Sequence, residues 1–541
     1  MTALLGARAN FHISCAAIAA DEAAWFVSTK EGEEDMHPAH HAALTPHRPA
    51  VIMAETGASL SFAQLDALSN ASAWQLRALG MVRGDVVATL FDNAPEVFVF
   101  GWAAQRCGLY QTAISTKLSA RDIAFILADS GARLLVVSPA FAALAKEALA
   151  TSPSLQVYAW EGADGLMSWT EAAANQPQTP VADESPGADL LYSSGTTGRP
   201  KGVMPTLPTG PIGADTPLTR MGSALYGMDA DTVYLSTSPL YHAAPLRWAM
   251  AVQQLGGCVI VMRRFDAEDA LRCIERWKVT HATFVPTHFV RMLKLPGDTR
   301  TRHDIASLVA VVHAAAPCPV PVKHAMIEWF GPIIHEYYSG TESCGITALS
   351  SAEWLARPGS VGKAVLGTVH IVDDAGAEVA NGETGHVYFS DGPAFQYLND
   401  ALKTAEAHDA RGWATLGDIG RLDADGYLFL TDRNSFMIIS GGVNIYPQEI
   451  ENLLVTHPAV FDVAVIGVPC EEMGERVIAV VQPMPGLVGD ATLAEELIVF
   501  ARRELGGVKT PRRIDFTAEL PREPTGKLMK RKLRETYLAA A

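Results

Sequence analysis

The stretch LLYSSGTTGRPKG, residues 190–202, sets serines, threonines and glycines around an arginine and a lysine directly after an apolar pair. Small hydroxyls and glycine amides form a concave surface of donors, and the ligand that suits such a surface is a phosphate. Lys201 adds positive charge. The nucleotide loop G-x-x-x-x-G-K-[ST] is excluded: Pro200 precedes the lysine and Gly202 follows it, which leaves no hydroxyl for a metal and no helix start. A flexible polar linker has a similar composition, yet this stretch interrupts apolar sequence and joins no low-complexity segments. It reads as a phosphate loop of another kind.

On either side of it the chain alternates helical and β-rich segments. SFAQLDALSNASAWQLRALG carries apolar residues at helical spacing and stops at Gly80, and DVVATLF then reads as a buried strand. RLLVVS, CVIVMRRF and HATFVP are further strands that follow helical stretches, so largely parallel sheets covered by helices are expected. After Asp418 the pattern changes. GDIGRLDADGYLFLTDR predicts a hairpin around DADG. FMIIS, YPQEIENLLVTHPAV, DVAVIGV, RVIAVVQP, a helix around Glu495 to Leu505 and a basic tail then make a small α+β domain of ordinary size. The expected organisation is an N-terminal extension (1–35), a large α/β domain (36–432) and a small mobile α+β domain (433–541).

At 541 residues the chain is too long for one ordinary core. With 49% hydrophobic residues it can bury a large interior, and a net charge of −17 excludes a general nucleic-acid binder. Seven cysteines without a C-x-x-C pair argue against a disulfide framework or zinc site and for a reducing, cytoplasmic setting. Cys344 reads as a small buried hydrophobe rather than a nucleophile. The longest uncharged run, around Ser307 to Val322, carries prolines and a histidine and is no membrane span. Residues 1–35 lack the basic start of a signal peptide. His37, His40 and His41 read as solvated residues near a terminus, ahead of a metal site.

Further motifs stand in order along the chain: HAAAP ending at Pro317, YSGTE from Tyr338 to Glu342, GWATLGD ending at Asp418, TDR ending at Arg433, and PREPTGKLMK containing Lys527. Taken singly, each has a plain structural reading. Together with residues 193–201 they resemble the adenylate-forming superfamily of acyl-CoA synthetases, firefly-type luciferases and peptide-synthetase adenylation domains. The resemblance covers essentially everything from Met36 onward.

That resemblance implies an ATP site. Ser193, Ser194, Gly195, Thr196, Thr197, Gly198 and Lys201 would hold the β- and γ-phosphates, and Ala315, Ala316 and Pro317 would lie along the adenine. Tyr338 would stack on it, Thr341 would meet the α-phosphate, and Glu342 would bind Mg2+. Asp418 would accept from the ribose hydroxyls, assisted by Arg433. Lys527 would serve the carboxylate-activating step. The small domain would then turn about a hinge at Ser435 and bring Gly441 and Gly442 to the pantetheine arm of coenzyme A. Ser435 and Phe436 stand where the family often has charged residues, and Ser339 replaces a usual glycine. PLYHAAPLRWAM resembles the segment lining the acyl pocket, with His242 at its gate and Trp248 deeper, beside Ser339 and Gly340. A satisfied histidine and a core tryptophan are the structural alternatives.

The expected activity is an AMP- and pyrophosphate-forming acyl-CoA synthetase for a hydrophobic carboxylic acid, fatty or bulky alicyclic and steroid-derived. ATP, Mg2+ and coenzyme A are its expected cofactor and co-substrates, a homodimer being left open. An adenylating enzyme that loads a separate carrier protein and a non-catalytic acyl-binding relative are the alternatives.

Overall fold

Ser61 starts a helix because its hydroxyl accepts from the Gln64 amide while the Gln64 side chain accepts from the Ser61 amide. The helix Phe62–Ala78 buries Phe62, Leu65 and Leu76, and the chain leaves it through Gly80 at φ 76°. In this computed structural model the described residues are 36–150, 155–193, 200–433, 436–440, 443–470, 473–522 and 528–539, with the backbone alone at 432, 433, 444, 508 and 539.

Among the described residues, two sheets carry the alternating pattern. A six-stranded sheet, entirely parallel, runs Met167–Ser168, Gln156–Ala159, Leu134–Val137, Val86–Leu90, Tyr110–Ala113, Ala188–Asp189. A nine-stranded sheet is parallel through Ile334–Tyr338, Ala310–His313, His281–Phe284, Val233–Ser236, Cys258–Val261 and Pro49–Met53, with antiparallel strands only at its two ends. Helices between them bury Phe98, Phe100, Trp169 and Trp248 in one shared core. The parallel expectation therefore holds for the centre of both sheets. Hairpins elsewhere join neighbouring strands antiparallel, as at Asp418–Leu422 and Leu428–Arg433, which form the hairpin expected around DADG.

The C-terminal sheet joins Val443–Ile445, Ile438–Ser440, Gly474–Pro483 and Val460–Cys470, with Arg513–Phe516 alongside Gly474–Pro483. The helices Pro447–Leu454 and Ala491–Lys509 cover it around Ile450, Leu454, Val465, Val481 and Leu497. No described helix is long and apolar enough to cross a membrane.

One expectation is overturned at the start of the large domain. His37 is 2% exposed, caps the helix Pro38–Leu44, and meets the Trp102 ring edge-on at 5.0 Å. His41 shares a hydrogen bond with the Gln254 carbonyl at 2.8 Å. These histidines are packing groups, not solvated ones. Burial and the nearby Arg106 hold the His37 pKa well below the ordinary value.

Candidate active site

The strands Leu191–Ser193 and Lys201–Pro205 pair antiparallel, with Ser193 opposite Lys201. Residues 194–199 of the expected phosphate loop lie outside the described residues, but both flanks open on the same cleft of about 1950 Å³. Gly202 keeps the strand close to the Tyr192 ring, since a Cβ there would stand 3.0 Å from it. Lys201 stands 5.3 Å over the Tyr397 ring. Burial and the neighbouring Lys403 lower its pKa, and Glu342 opposes them.

The cleft's second wall comes from the ends of parallel strands, where α/β folds place their ligands. The loop after Ala310–His313 turns through Ala315 at φ 75°, and Ala314 and Ala315 face the cleft. Ala316 and Pro317 are not among its lining residues. After Ile334–Tyr338 the chain passes through Ser339, Gly340, Thr341 and Glu342, all of which line the cleft. The Tyr338 hydroxyl donates to Asp418 at 2.6 Å, and Asp418 is 5% exposed. Neither of these two is a lining residue; they stand as a bonded pair within the wall. Asp418 pairs across the hairpin with Arg433 at the backbone.

Three ties that the motifs do not contain hold this wall. The Tyr397 hydroxyl donates to Glu342 at 2.8 Å. Arg247 is ion-paired to Asp189 at 2.7 Å and donates to the Thr341 carbonyl at 3.2 Å and the Ser343 hydroxyl at 2.9 Å. Behind the wall, Lys323 is ion-paired to Glu336 and lies 4.9 Å from the Trp354 ring, with both charged side chains buried. Burial pushes Glu336 up and Lys323 opposes it, while burial and Lys323 hold His313 well below the ordinary histidine value. The signal for Arg247 was present, since a guanidinium in the apolar run PLRWAM needs a partner. Tyr397 and Lys323 gave none, because their partners lie 55 and 13 residues away.

His242 precedes the helix Ala243–Gln254 and its ring centre is 4.7 Å from that of Tyr241. Trp248 is 1% exposed yet borders the cleft. Its indole donates to the Tyr337 hydroxyl at 3.2 Å, and its far side meets the Tyr226 ring. Trp248 thus packs in the core while one part of it borders the cleft. Ser339 donates to the Gly345 carbonyl at 2.8 Å, which turns its hydroxyl into the loop. Cys344 is buried, and its thiol is pushed up to about 12 mainly by burial, in keeping with a small core residue rather than a nucleophile. Small-domain residues Phe436, Arg522, Leu528 and Lys530 close the cleft. Ser435, Gly441, Gly442 and Lys527 lie outside the described residues.

A parallel-stranded large domain and a small α+β domain share one cleft, the arrangement expected of an adenylate-forming ligase. Two family profiles match, one described as AMP-binding enzyme over residues 38–395 and one as AMP-binding enzyme C-terminal domain over 449–527. The chain belongs to the AMP-binding enzyme family, in its acyl-CoA synthetase branch, and is an AMP-forming acid–thiol ligase. It is 34% identical to the long-chain-fatty-acid–CoA ligase FadD13 of Mycobacterium tuberculosis over 515 residues, 92% of this chain and 97% of that protein. It is 33% identical to the feruloyl-CoA synthase of Amycolatopsis sp over 505 residues, 92% of this chain and 98% of that one. The crystal structure of ATP-bound MatB from Rhodopseudomonas palustris superposes with a TM-score of 0.79 at 28% identity, covering 92% and 98% of the two chains.

Proposed function

We propose that this ligase converts a hydrophobic carboxylic acid to its coenzyme A thioester through an acyl-adenylate, with ATP consumed and AMP and pyrophosphate released. The observation that carries the reading is the meeting, in one cleft, of Thr341 and Glu342, the apolar wall at Trp248 and Tyr337, and the small-domain residues flanking 523–527. A carboxylate is a poor electrophile. Its oxygen first attacks the α-phosphorus of ATP and pyrophosphate leaves; a thiol sulfur then attacks the acyl carbonyl and AMP leaves. The first step crowds negative charge, and fixed cationic and donor groups contribute most there.

In this reading residues 193–198 and Lys201 hold the terminal phosphates, Thr341 meets the α-phosphate and Lys527 stabilises the charge of carboxylate attack. Ala315, Ala316, Pro317 and Tyr338 border the adenine, and Asp418 with Arg433 takes the ribose. The lid is residues 433–541, hinged at Ser435, with Gly441 and Gly442 serving the thiol.

Glu342 fits Mg2+. Tyr397 fixes one carboxylate oxygen, and a Cβ at Gly340 would come within 2.6 Å of the other, so the glycine keeps that oxygen open. No cluster of three or more His, Cys, Asp or Glu converges among the described residues. Glu342 would hold the ion through a single carboxylate, the kind of site that Mg2+ takes. When bound it offsets polyphosphate charge.

His242, Trp248, Ser339 and Gly340 border the acyl group. Relatives named for a long-chain fatty acid and for ferulate both match over nine-tenths of the chain, which supports an apolar acid and keeps straight-chain and ring-bearing acids both within the reading. A panel of straight-chain, alicyclic and aromatic acids, assayed for pyrophosphate release with and without coenzyme A, tests the reading. Thioester formation with apolar acids is expected. Pyrophosphate release without any thioester would favour a separate carrier protein as acceptor, and silence with every acid would favour an acyl-binding protein.

A further inference from the structure

Lys294 follows the helix Pro286–Leu293 of the large domain, which is anchored through buried Phe289 and Met292. Its ammonium crosses to the small domain. There it donates to the main-chain carbonyls of Val460 at 2.5 Å and Phe461 at 2.9 Å, and lies 5.4 Å from the centre of the Phe461 ring. A lysine suits this place, since three rotatable donors on a flexible stem can serve two carbonyls at once. Burial lowers its pKa to about 8, while Asp462 acts in the opposite direction.

What lies beyond the two carbonyls gives this grip its meaning. Asp462, the next residue, holds Arg522 in a two-pronged pair, Nε to Oδ2 at 2.5 Å and Nη2 to Oδ1 at 2.6 Å. Arg522 forms an antiparallel bridge with Leu528, and both line the cleft. Lys530, a little further on, is paired with Glu451 at 2.9 Å where both side chains are buried. The base of segment 523–527 is therefore fastened on both sides, and one of those fastenings begins a single residue from the Lys294 grip.

We propose that Lys294 is a positioning residue for carboxylate activation. Through the carbonyls of Val460 and Phe461 and the Asp462–Arg522 pair, it holds the small domain in the orientation that brings Arg522, Leu528 and Lys530 to the cleft. The proposal rests on the reading above in which Lys527 serves that step. A residue that merely stabilised the fold would affect both half-reactions alike. A positioning residue separates them, because CoA transfer uses another orientation of the lid.

The test compares wild type with Lys294→Met and Lys294→Arg in two assays: acid-dependent pyrophosphate release, and CoA transfer from a supplied acyl-adenylate. Removing a charged donor from two carbonyls shifts the balance between orientations by roughly ten- to hundredfold. Lys294→Met is expected to slow pyrophosphate release by about tenfold or more, with the KM for ATP changed less than kcat, and to leave CoA transfer within about twofold. Lys294→Arg, which keeps the donors, is expected to restore most of the loss. Equal loss in both assays, or full activity of Lys294→Met, would overturn the proposal. If Lys294→Met does not fold, Asp462→Asn breaks the next link and must show the same split. Small-angle scattering of the substrate-free proteins reads domain orientation without chemistry: a larger radius of gyration in Lys294→Met is expected, and an unchanged one counts against the grip. Inactivity of the wild type with every acid would strike the proposed function instead, and scattering would still decide on Lys294.

Discussion

The two faces of the cleft are built in different ways. On the large-domain side, Tyr338 is bonded to Asp418, Tyr397 to Glu342 and Arg247 to the Thr341 loop, with the Lys323–Glu336 pair fastened behind the strands. Partners on that side come from different sheets and helices of the one large domain and tie them to one another, so the wall is set by bonds within that domain. On the small-domain side, Arg522 and Lys530 are well held within their own domain, and a large-domain side chain, Lys294, reaches across to main-chain carbonyls of that domain. One face is preorganised; the other is oriented. Electrostatic catalysis needs the first, and the proposed two-step reaction, with two successive partners at one acyl group, would use the second by turning it.

The largest expected effect tests the preorganised side. Lys323→Met would leave Glu336 buried without its cation, and breaking such a pair from one side costs about 3–5 kcal/mol. Urea unfolding should show that loss. The double variant Lys323→Met/Glu336→Leu should recover most of it, since no charge then remains buried. A single variant as stable as wild type would mean that this wall is not fastened from behind. The next effect tests the oriented side. Lys527→Ala should lower pyrophosphate release by about 10²–10³-fold, the scale for losing one preorganised charged donor, and leave CoA transfer from a supplied acyl-adenylate largely intact. Comparable loss of both half-reactions would remove the division of labour between lid orientations.

The same contrast sets how far the sequence could be read. Central strands such as Val86–Leu90 and Leu134–Val137 were legible because burial on both faces makes them continuous apolar runs. The candidate site was legible where its residues sit in short loops at strand ends, as Ser193, Thr341 and Glu342 do. Ties between distant residues left no mark. Tyr397 reaches Glu342 only because its strand Phe395–Tyr397 pairs with Lys201–Pro205, and no spacing announces that register. Lys294 binds carbonyls, which carry no side-chain signature at all. The histidines at 37 and 41 misled for the opposite reason: polar residues near a chain end usually face water, and here Trp102 and Gln254 take them in.

A smaller effect is expected at the apolar end of the wall. Trp248→Ala should move acid preference toward larger substrates, at about 0.8 kcal/mol for each methylene that enters the vacated space, and should weaken small acids that relied on the indole. It also removes the donor to Tyr337, whose hydroxyl then faces the new space. Specificity constants across acids of increasing length measure this, and an unchanged profile would return Trp248 to the core alone.

The smallest expected effect concerns Tyr397, where the preorganised face can be probed one bond at a time. Its hydroxyl donates to Glu342 at 2.8 Å and its ring carries Lys201 at 5.3 Å, so one side chain links the lysine after the phosphate loop to the carboxylate proposed for Mg2+. Tyr397→Phe keeps the ring, its burial and the cation above it, and deletes one hydrogen bond. Glu342 borders an open cleft where water can replace the lost donor, so the cost stays near 1 kcal/mol, about fivefold, rather than the full penalty of a buried unpaired group. That loss should appear as a raised KM for ATP at fixed magnesium, with kcat and the unfolding midpoint nearly unchanged. Tyr397→Leu also removes the aromatic face and should add about 0.5–1 kcal/mol through Lys201. A Tyr397→Phe variant as impaired as Lys527→Ala would break the contrast between the two faces, because the large-domain wall would then hang on a single bond instead of being held by many.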